Sequence, residues 1–353
     1  MMNAVIENQF IQKLTGRFRR SPLQKNRTHE SDAEIVRFSS DSDSLLAITT
    51  DSIVEEIAVG LYVDPHLIGW MAVMVNMSDL AAVSAEPLGI LVSEVLPAAF
   101  PEQSLALLQQ GIQDACDACE TFILGGDTNF GQQLMLTGCA LGTVNHRRFL
   151  SRIGCRPGDV LYSTGPLGVG NAFALSKLAG SAMPDIEYKP TARLKESRSL
   201  PGVASACMDT SDGVIATLDQ LMRLNHVGFQ LDEGWESNLH PAAKNLADAF
   251  RIPPWLLLAG QHGEFELLFT VAKERETELL HSAEKNHWHP LRLGITTDEP
   301  EIRIPVYGHS QPIDTAKIRN LASQVNGDIQ NYINQLLVID NELQKGASEH
   351  VSQ

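Results

Sequence analysis

Between residues 45 and 144, short β-rich runs alternate with stretches of helical spacing. That alternation limits the fold more than any other feature of the chain. "LLAITTDSIV" (45–54) is β-rich and closes near an acidic residue. "DPHLIGWMAVMVNMSDLAAVSAEP" places apolar residues at helical spacing behind an Asp64-Pro65 start signal. "LGILVSEVLP" (88–97) predicts a strand, and "PEQSLALLQQGIQDACDACE" (101–120) an amphipathic helix with proline in its first turn. "TFILGGD" and "QLMLTGCALGTV" (133–144) predict two more strands, the first with a buried apolar start and a turn at its two glycines.

The character changes across residues 145–168. "RPGD" predicts a turn before the strand "VLYSTG", followed by a helix "GNAFALSKLAG" (170–180) and a polar, proline-bearing loop "SAMPDIEYKPTARLKES". "ACMDTSDGVIATLDQLMRLNHVGFQLD" predicts strand, acidic turn, helix and strand. "PPWLLLAGQHGEFELLFTV" predicts helix, loop and strand, with "HWHPLRLGITT" and "EIRIPVYG" as closing strands. The chain of 353 residues is long enough for two cores. The expected organisation is α/β, with domains at 32–148 and 149–340. A helix and basic segment (1–31) precede them, and a polar, frayed tail (341–353) follows.

The balance of 43 Asp+Glu against 27 Lys+Arg gives a net charge of −16, which argues against a nucleic-acid partner. No run of about 18 apolar residues is present, so no membrane span is expected. The basic N-terminal stretch "FIQKLTGRFRRSPLQKNR" lacks an apolar signal core. A short helix and then a basic segment is the preferred reading over a transit peptide. Five scattered cysteines do not form a disulfide framework. Cys116 and Cys119 make a CxxC inside a predicted helix, where packing is the expected role. The expected compartment is the cytoplasm.

Carboxylates recur beside apolar segments and small residues: Asp51, Asp79, Asp127, Asp209, Asp212, Glu264 and Glu266. A carboxylate at the end of a buried strand is costly unless it is paired or metal-bound. Several converging ones would form a hard-oxygen site suited to Mg²⁺ and, through it, to nucleotide phosphates. Gly125 and Gly126 would let a phosphate or metal approach the backbone. Taken singly, each carboxylate fits a turn or a helix cap equally well. The absence of GxxxxGK[ST] excludes a P-loop. "GPLGVG" (165–170) is either a phosphate cradle at a helix N-terminus or a tight turn.

The segments "LAITTDSIVEE", "AVMVNMSDLAAVSAEPLGILVSEVLP", "LGGDTNFGQQLMLTGCALGTV", "SRIGCRPGDVLYSTGPLG", "MDTSDGVIATLDQL" and "GEFELLFTV" resemble, in order, those of thiamine-monophosphate kinase. That family is part of the superfamily of aminoimidazole ribonucleotide synthetase (PurM-like). The resemblance runs from about residue 32 to about 310. It implies an N-terminal domain that dimerises through its mixed sheet, and a C-terminal α/β sandwich domain. ATP and several Mg²⁺ ions would lie in the cleft, in part across the dimer interface. Carried over by motif, Asp32, Thr50, Asp51, Asp79, Asp127, Asp209 and Asp212 match metal-ligand positions. Asn76, Ser78, Gly125, Gly126, Thr128 and Gly165 match the nucleotide region, and Arg152 a phosphate contact. Ser211 and Asp212 match the reacting centre, and Glu264 and Phe265 the substrate region.

The chain departs from the family at several places. "THESDAEI" stands where the family has "GIGDDCA", so that Ser31 replaces one aspartate of the pair. Ala58 and Val59 stand where a histidine–phenylalanine pair is usual. "QHGEFEL" replaces "GGEDYEL", with Gln261, His262 and Gly263 altered. Three readings are therefore carried forward. The first is a thiamine-monophosphate kinase, a cytoplasmic homodimer using ATP and Mg²⁺ on a phosphorylated small molecule. The second is a related ATP-dependent enzyme with another acceptor, such as a pterin. The third is a non-catalytic nucleotide-binding homologue.

Overall fold

The computed structural model describes residues 3–15, 18–38, 43–180, 183–325 and 327–351. The first half contains α1 (Ile6–Thr15), β1 (Glu34–Val36), β2 (Ser44–Ser52), α2 (Val54–Ala58) and α3 (Pro65–Ala82). It continues with β3 (Glu86–Pro97), α4 (Glu102–Ala118), β4 (Ile123–Gly131) and β5 (Met135–Asn145). The strands form one mixed sheet in the order β1-β2-β5-β3-β4, with only β3 and β4 parallel among them. The Asp64 carboxylate accepts the N–H groups of His66 and Leu67 and so starts α3. Thirteen of the 18 residues of α3 are buried, so this helix is enclosed on nearly every side. It crosses α4 closely. A Cβ on Gly69 would sit 2.0 Å from the Leu108 carbonyl oxygen, and one on Gly111 would sit 2.0 Å from that of His66. Cys116 and Cys119 are buried free thiols, and the Cys119 thiol packs on the Met74 sulfur, as expected for a packing role.

One expectation is overturned here. β4 does not begin as a buried strand: all nine of its residues are exposed, with Leu124 at 53% and Phe130 at 76%. It is the sheet's edge, while 88–97 lies in β3, paired on both sides. An apolar run alone does not distinguish a buried strand from an uncovered one. The glycines also have an internal reason. A Cβ on Gly126 would lie 2.0 Å from the Val92 carbonyl oxygen, so the β3–β4 pairing itself requires glycine there.

The second half supplies β6 (Val160–Ser163), α5 (Val169–Leu178), α6 (Leu194–Ser197), β7 (Ala204–Asp209), α7 (Val214–Asn225) and β8 (Gly228–Leu231). Then come α8 (Pro241–Phe250), α9 (Leu256–Ala259), β9 (Leu267–Val271), α10 (Glu276–Lys285), β10 (Leu291–Thr297), β11 (Ile302–Val306) and β12 (His309–Ile313). α11 (Thr315–Val325) and α12 (Ile329–Val351) close the chain. The sheet order is β12-β11-β8-β10-β6-β9-β7. α3 touches both sheets, packing on β2 and β5 and reaching β7. The Trp70 indole donates to the Pro190 carbonyl at 2.7 Å across this junction.

The polar tail is a second correction. Residues 341–351 continue α12, and 352–353 lie outside the described residues. The helix is anchored just before them. Asp340 is buried and accepts from the Trp255 indole at 2.7 Å and the Tyr307 hydroxyl at 2.5 Å. Leu336 and Ile339 join the core on the same face. The predicted loop before β7 also contains a short helix, α6.

Candidate active site

The alternation of β2 turns Leu45, Ala47 and Thr49 inward, toward α3. The Thr49 hydroxyl donates to Asp79 on α3. Two residues on, the Asp51 amide donates to the Asn76 side chain at 3.0 Å, which pins β2 to the helix. One residue before Asp79, the Ser78 hydroxyl donates to Asp209 at the end of β7, at 2.6 Å. Ser211 in the following turn also donates to Asp209, at 2.9 Å. Asp32, just before β1, completes the group: Asp32, Asp79 and Asp209 offer oxygens that all lie within 4.8 Å of one another.

The cation facing this group is Arg152, from the segment joining the two sheets. Its guanidinium donates to Asp32 through two nitrogens, at 2.7 and 3.1 Å. The Asp32 side chain is 1% exposed. Removing one partner of such a buried pair costs roughly 3–5 kcal/mol, because the other charge is left uncompensated.

One guanidinium does not balance the remaining carboxylates. Burial first, and then Asp51, Asp209 and Asp32, hold the Asp79 carboxyl well above its ordinary range. Burial and Asp32 push Asp209 up to about 7, against the hydroxyls of Ser78 and Ser211 and the charge of Arg152. Solvent reaches Asp51 at the mouth of the cleft. Its surroundings still withdraw it from bulk water, and the charges of Asp212, Asp32 and Glu56 add to that. Its carboxyl rises to about 6, although Asp79 shares a hydrogen bond with it. Converging buried carboxylates are hard-oxygen donors that fit a divalent cation such as Mg²⁺. Asp32, Asp79 and Asp209 are the residues that would hold it, with Asp51 and Asp212 at the mouth.

Residues 30–144 match the family of AIR synthase related proteins, N-terminal domain. The chain is 31% identical over 247 residues to the thiamine-monophosphate kinase of Pyrococcus horikoshii, covering 69% of this chain and 77% of the relative. The chain belongs to the thiamine-monophosphate kinase family. The solved structure of AaThiL complexed with AMPPCP and TMP superposes with a TM-score of 0.69 at 22% identity, over 87% of this chain and 95% of that one. The hydrogenase maturation protein HypE of Escherichia coli shares the fold, with a TM-score of 0.66 at 18% identity, over 88% and 98% of the two chains.

Within this family member the predicted residues separate into groups. Asp32, Asp79, Asp209 and Arg152 come together, with Asp51, Ser211 and Asp212 around them. Thr50 lines the mouth and donates to the Gly138 carbonyl at 2.8 Å. Asn76 and Ser78 are fully buried, and their polar atoms are engaged within the chain, so they position β2 and Asp209 and do not face a nucleotide. Gly165 is buried against the Glu266 carboxylate, where an added Cβ would fall 2.5 Å from its oxygen. The turn before α5 is not an open phosphate cradle, because the Glu264 carboxylate accepts the Gly168 N–H at 2.8 Å. Glu264 and Phe265 are both 4% exposed and do not line an open pocket. Phe265 adopts a left-handed φ of 60°, uncommon for an aromatic residue.

Asp127 does not join the cluster of its own chain. Asp51, Gly138, Val92 and Gly126 lie in one row across β2, β5, β3 and β4, which is about 14 Å at ~4.8 Å per strand. Asp127 lies in the next row, with Ser52, Thr137 and Ser93, whose side chains face away from α3. It accepts from Asn129 at 2.6 Å, and Thr128 donates to Glu94 at 2.9 Å. Sequence reasoning missed two residues beside the site, Thr49 and Glu56. The signal for Thr49 was its period-two place in "AITTD", and for Glu56 the paired carboxylates that follow Asp51.

Proposed function

We propose that this chain transfers the terminal phosphoryl group of ATP to thiamine monophosphate, giving thiamine diphosphate and ADP. The observation that carries this reading is the convergence of Asp32, Asp79 and Asp209 with Arg152 where α3 meets both sheets. The curated relatives at about 30% identity support the acceptor. Phosphoryl transfer needs positioning and charge neutralisation more than covalent chemistry. Mg²⁺ bound by the aspartates would supply that neutralisation, which explains how so acidic a chain accommodates triphosphate. Arg152 holds Asp32 in place and stands ready for a phosphate oxygen. Ser211 and Asp212, in the turn after β7, face the mouth and orient the reacting phosphate.

The working unit is a homodimer in the cytoplasm. β4 is an unpaired apolar edge, and Phe122, Leu124, Phe130, Leu91 and Met135 are all exposed on or beside it. A second copy covering this face would bring Gly125, Gly126, Asp127 and Thr128 to its partner's carboxylate cluster. Asp127 would thus complete the site in trans.

A coupled assay of ADP release from Mg-ATP, with and without thiamine monophosphate, tests the function. Acceptor-dependent release with thiamine diphosphate as product is expected. ATP binding without such release would transfer the reading to a relative with another acceptor.

A further inference from the structure

α7 begins directly after the Asp212 turn and ends at Asn225, where His226 takes a left-handed φ of 56° and stops the helix. The Asn225 side chain lies against the segment that joins the two sheets. Its oxygen accepts the N–H groups of Gly154 at 2.7 Å and Cys155 at 3.1 Å. Its nitrogen donates to the Arg152 carbonyl at 2.8 Å and to the Leu221 carbonyl of its own helix at 2.8 Å. All four bonds go to backbone, and three of them hold residues 152–155. A carboxamide is suited to this because one short planar group carries two donors and an oxygen that accepts twice. An aspartate has no donor for the two carbonyls, and a serine has only one.

Other contacts fix the same segment, but not at the Arg152 carbonyl. The Cys207 amide donates to the Ser151 carbonyl at 2.9 Å, and the Arg152 amide to the Glu30 carbonyl at 2.8 Å. The Ser151 hydroxyl donates to that Glu30 carbonyl as well, at 2.7 Å. Asn225 adds the tie to α7. The same helix holds the Asp209 carbonyl through the Thr217 hydroxyl, at 2.9 Å. Thr217 and Asn225 lie about 12 Å apart along the helix axis. α7 therefore sets the separation between the backbones of Asp209 and Arg152, and the Arg152 side chain reaches from its end to Asp32 beside Asp209. The guanidinium gives Nε and Nη2 to Asp32, and among the described residues Nη1 has no partner. That edge is the one left for a phosphate oxygen. The contact of a planar guanidinium is directional, so its aim depends on where the Arg152 backbone is held.

We propose that Asn225 is a positioning residue for phosphoryl transfer: by holding the Arg152 peptide against α7, it aims the free edge of the Arg152 guanidinium at the nucleotide phosphates. This rests on the kinase reading, in which Arg152 meets those phosphates. Asn225 bonds only to backbone groups, so replacing it removes no side chain of the carboxylate cluster. Its effect passes through Arg152 and is separable from that of a metal ligand.

The test is a double-mutant cycle on the full-length protein, read as Mg-ATP binding by calorimetry. Asn225→Ala is expected to weaken binding about tenfold when Arg152 is present, within the range of coupling between residues of one hydrogen-bond network. Arg152→Lys keeps a cation against Asp32, but as a flexible point charge without the directional fork. In that background Asn225→Ala should weaken binding by less than about threefold. Equal weakening in the two backgrounds would mean that Asn225 only supports the fold, and overturns the proposal, as does unchanged binding in Asn225→Ala. Should Asn225→Ala not fold, Asn225→Asp carries the same cycle with the same expectations, since it keeps the acceptor for Gly154 and Cys155 and lacks the donor for Arg152. In turnover, kcat/KM for ATP should fall with the binding while KM for thiamine monophosphate stays within about twofold. An equal rise in KM for both substrates overturns the proposal. If the wild type binds Mg-ATP but makes no ADP with thiamine monophosphate, the acceptor reading fails on its own, and the binding cycle still decides on Asn225. A wild type that binds no Mg-ATP overturns both.

Discussion

Asp209 closes β7 and Asp127 sits midway along β4, each among small residues after an apolar run. Asp209 is 1% exposed and is held by Ser78, Ser211 and the nearby Arg152. Asp127 is exposed, has Asn129 as its hydrogen-bond partner, and faces away from α3 on an uncovered edge. Burial of the first is sustained by partners drawn from α3, the turn after β7 and the inter-sheet segment. The second has an apolar strand around it and, among the described residues, nothing from its own chain over it. On the proposed reading, one half of the site is assembled by folding, and the other half would be supplied by a second copy.

The largest effect tests the buried half. Asp79→Ala should lower turnover by roughly 100- to 1000-fold, the range seen when a group stabilising transition-state charge is removed. Asp79→Asn keeps the shape and removes a like charge. It should therefore melt no lower than the parent in EDTA, and should lose the stabilisation that Mg²⁺ gives the parent. A parent-like Mg²⁺ shift in Asp79→Asn would break the metal reading of the cluster.

The next effect tests the exposed half. Asp127→Ala should lose most turnover yet keep a Mg²⁺-dependent thermal shift, since the cluster in each chain is intact. Mixing unfolded Asp127→Ala with Asp79→Ala and refolding them together sharpens the comparison. If Asp127 acts in trans, each mixed dimer holds one intact site, and random pairing restores about a quarter of parental activity. If it acts in cis, no mixture recovers. Phe130→Asp, on the same edge, should move the protein toward monomer in sedimentation equilibrium, and its activity should fall on dilution.

The same comparison marks what was legible in the sequence. Strand–helix alternation was enough for the mixed α/β fold, because the two periods differ wherever one face is buried. Asp79 and Asp209 stood out as carboxylates inside apolar segments, where burial demands a partner. Asp127 stood out for the same local reason and lies elsewhere, because a run such as "TFIL" reads alike on a covered strand and on an open edge. Asn76 and Ser78 read by motif as nucleotide-lining residues, and the structure engages both within the chain. Their function in aligning β2 and Asp209 depends on which atoms meet across α3, and no spacing rule contains that. The continuation of α12 past residue 340 rests on Trp255 and Tyr307, each more than 30 residues from Asp340 in sequence. Glu264 reads as a substrate residue by motif, yet its carboxylate occupies the helix N-terminus that "GPLGVG" offered to a phosphate.

The smallest effect concerns pH. Folded-state pKa values of about 6 for Asp51 and about 7 for Asp209, with Asp79 raised as well, exceed the 3.8 of an unperturbed carboxyl. The folded chain therefore holds protons that the unfolded chain has released. This contribution to stability is full below about pH 4 and is lost as pH rises through 6 to 7. In EDTA the melting temperature should fall by a few degrees, roughly 2–4 °C, between pH 5.5 and 7.5, a small step for a protein of this size. Saturating Mg²⁺ should flatten or reverse that fall, because the cation favours the deprotonated carboxylates that the cluster otherwise disfavours. Asp127 lies on the far side of the sheet from α3, outside the cluster of its own chain, so Asp127→Ala should leave the slope as in the parent, while Asp79→Asn should show a shallower one. A slope that vanished in Asp127→Ala would place that residue in the cluster of its own chain and would remove the case for a site shared between two copies.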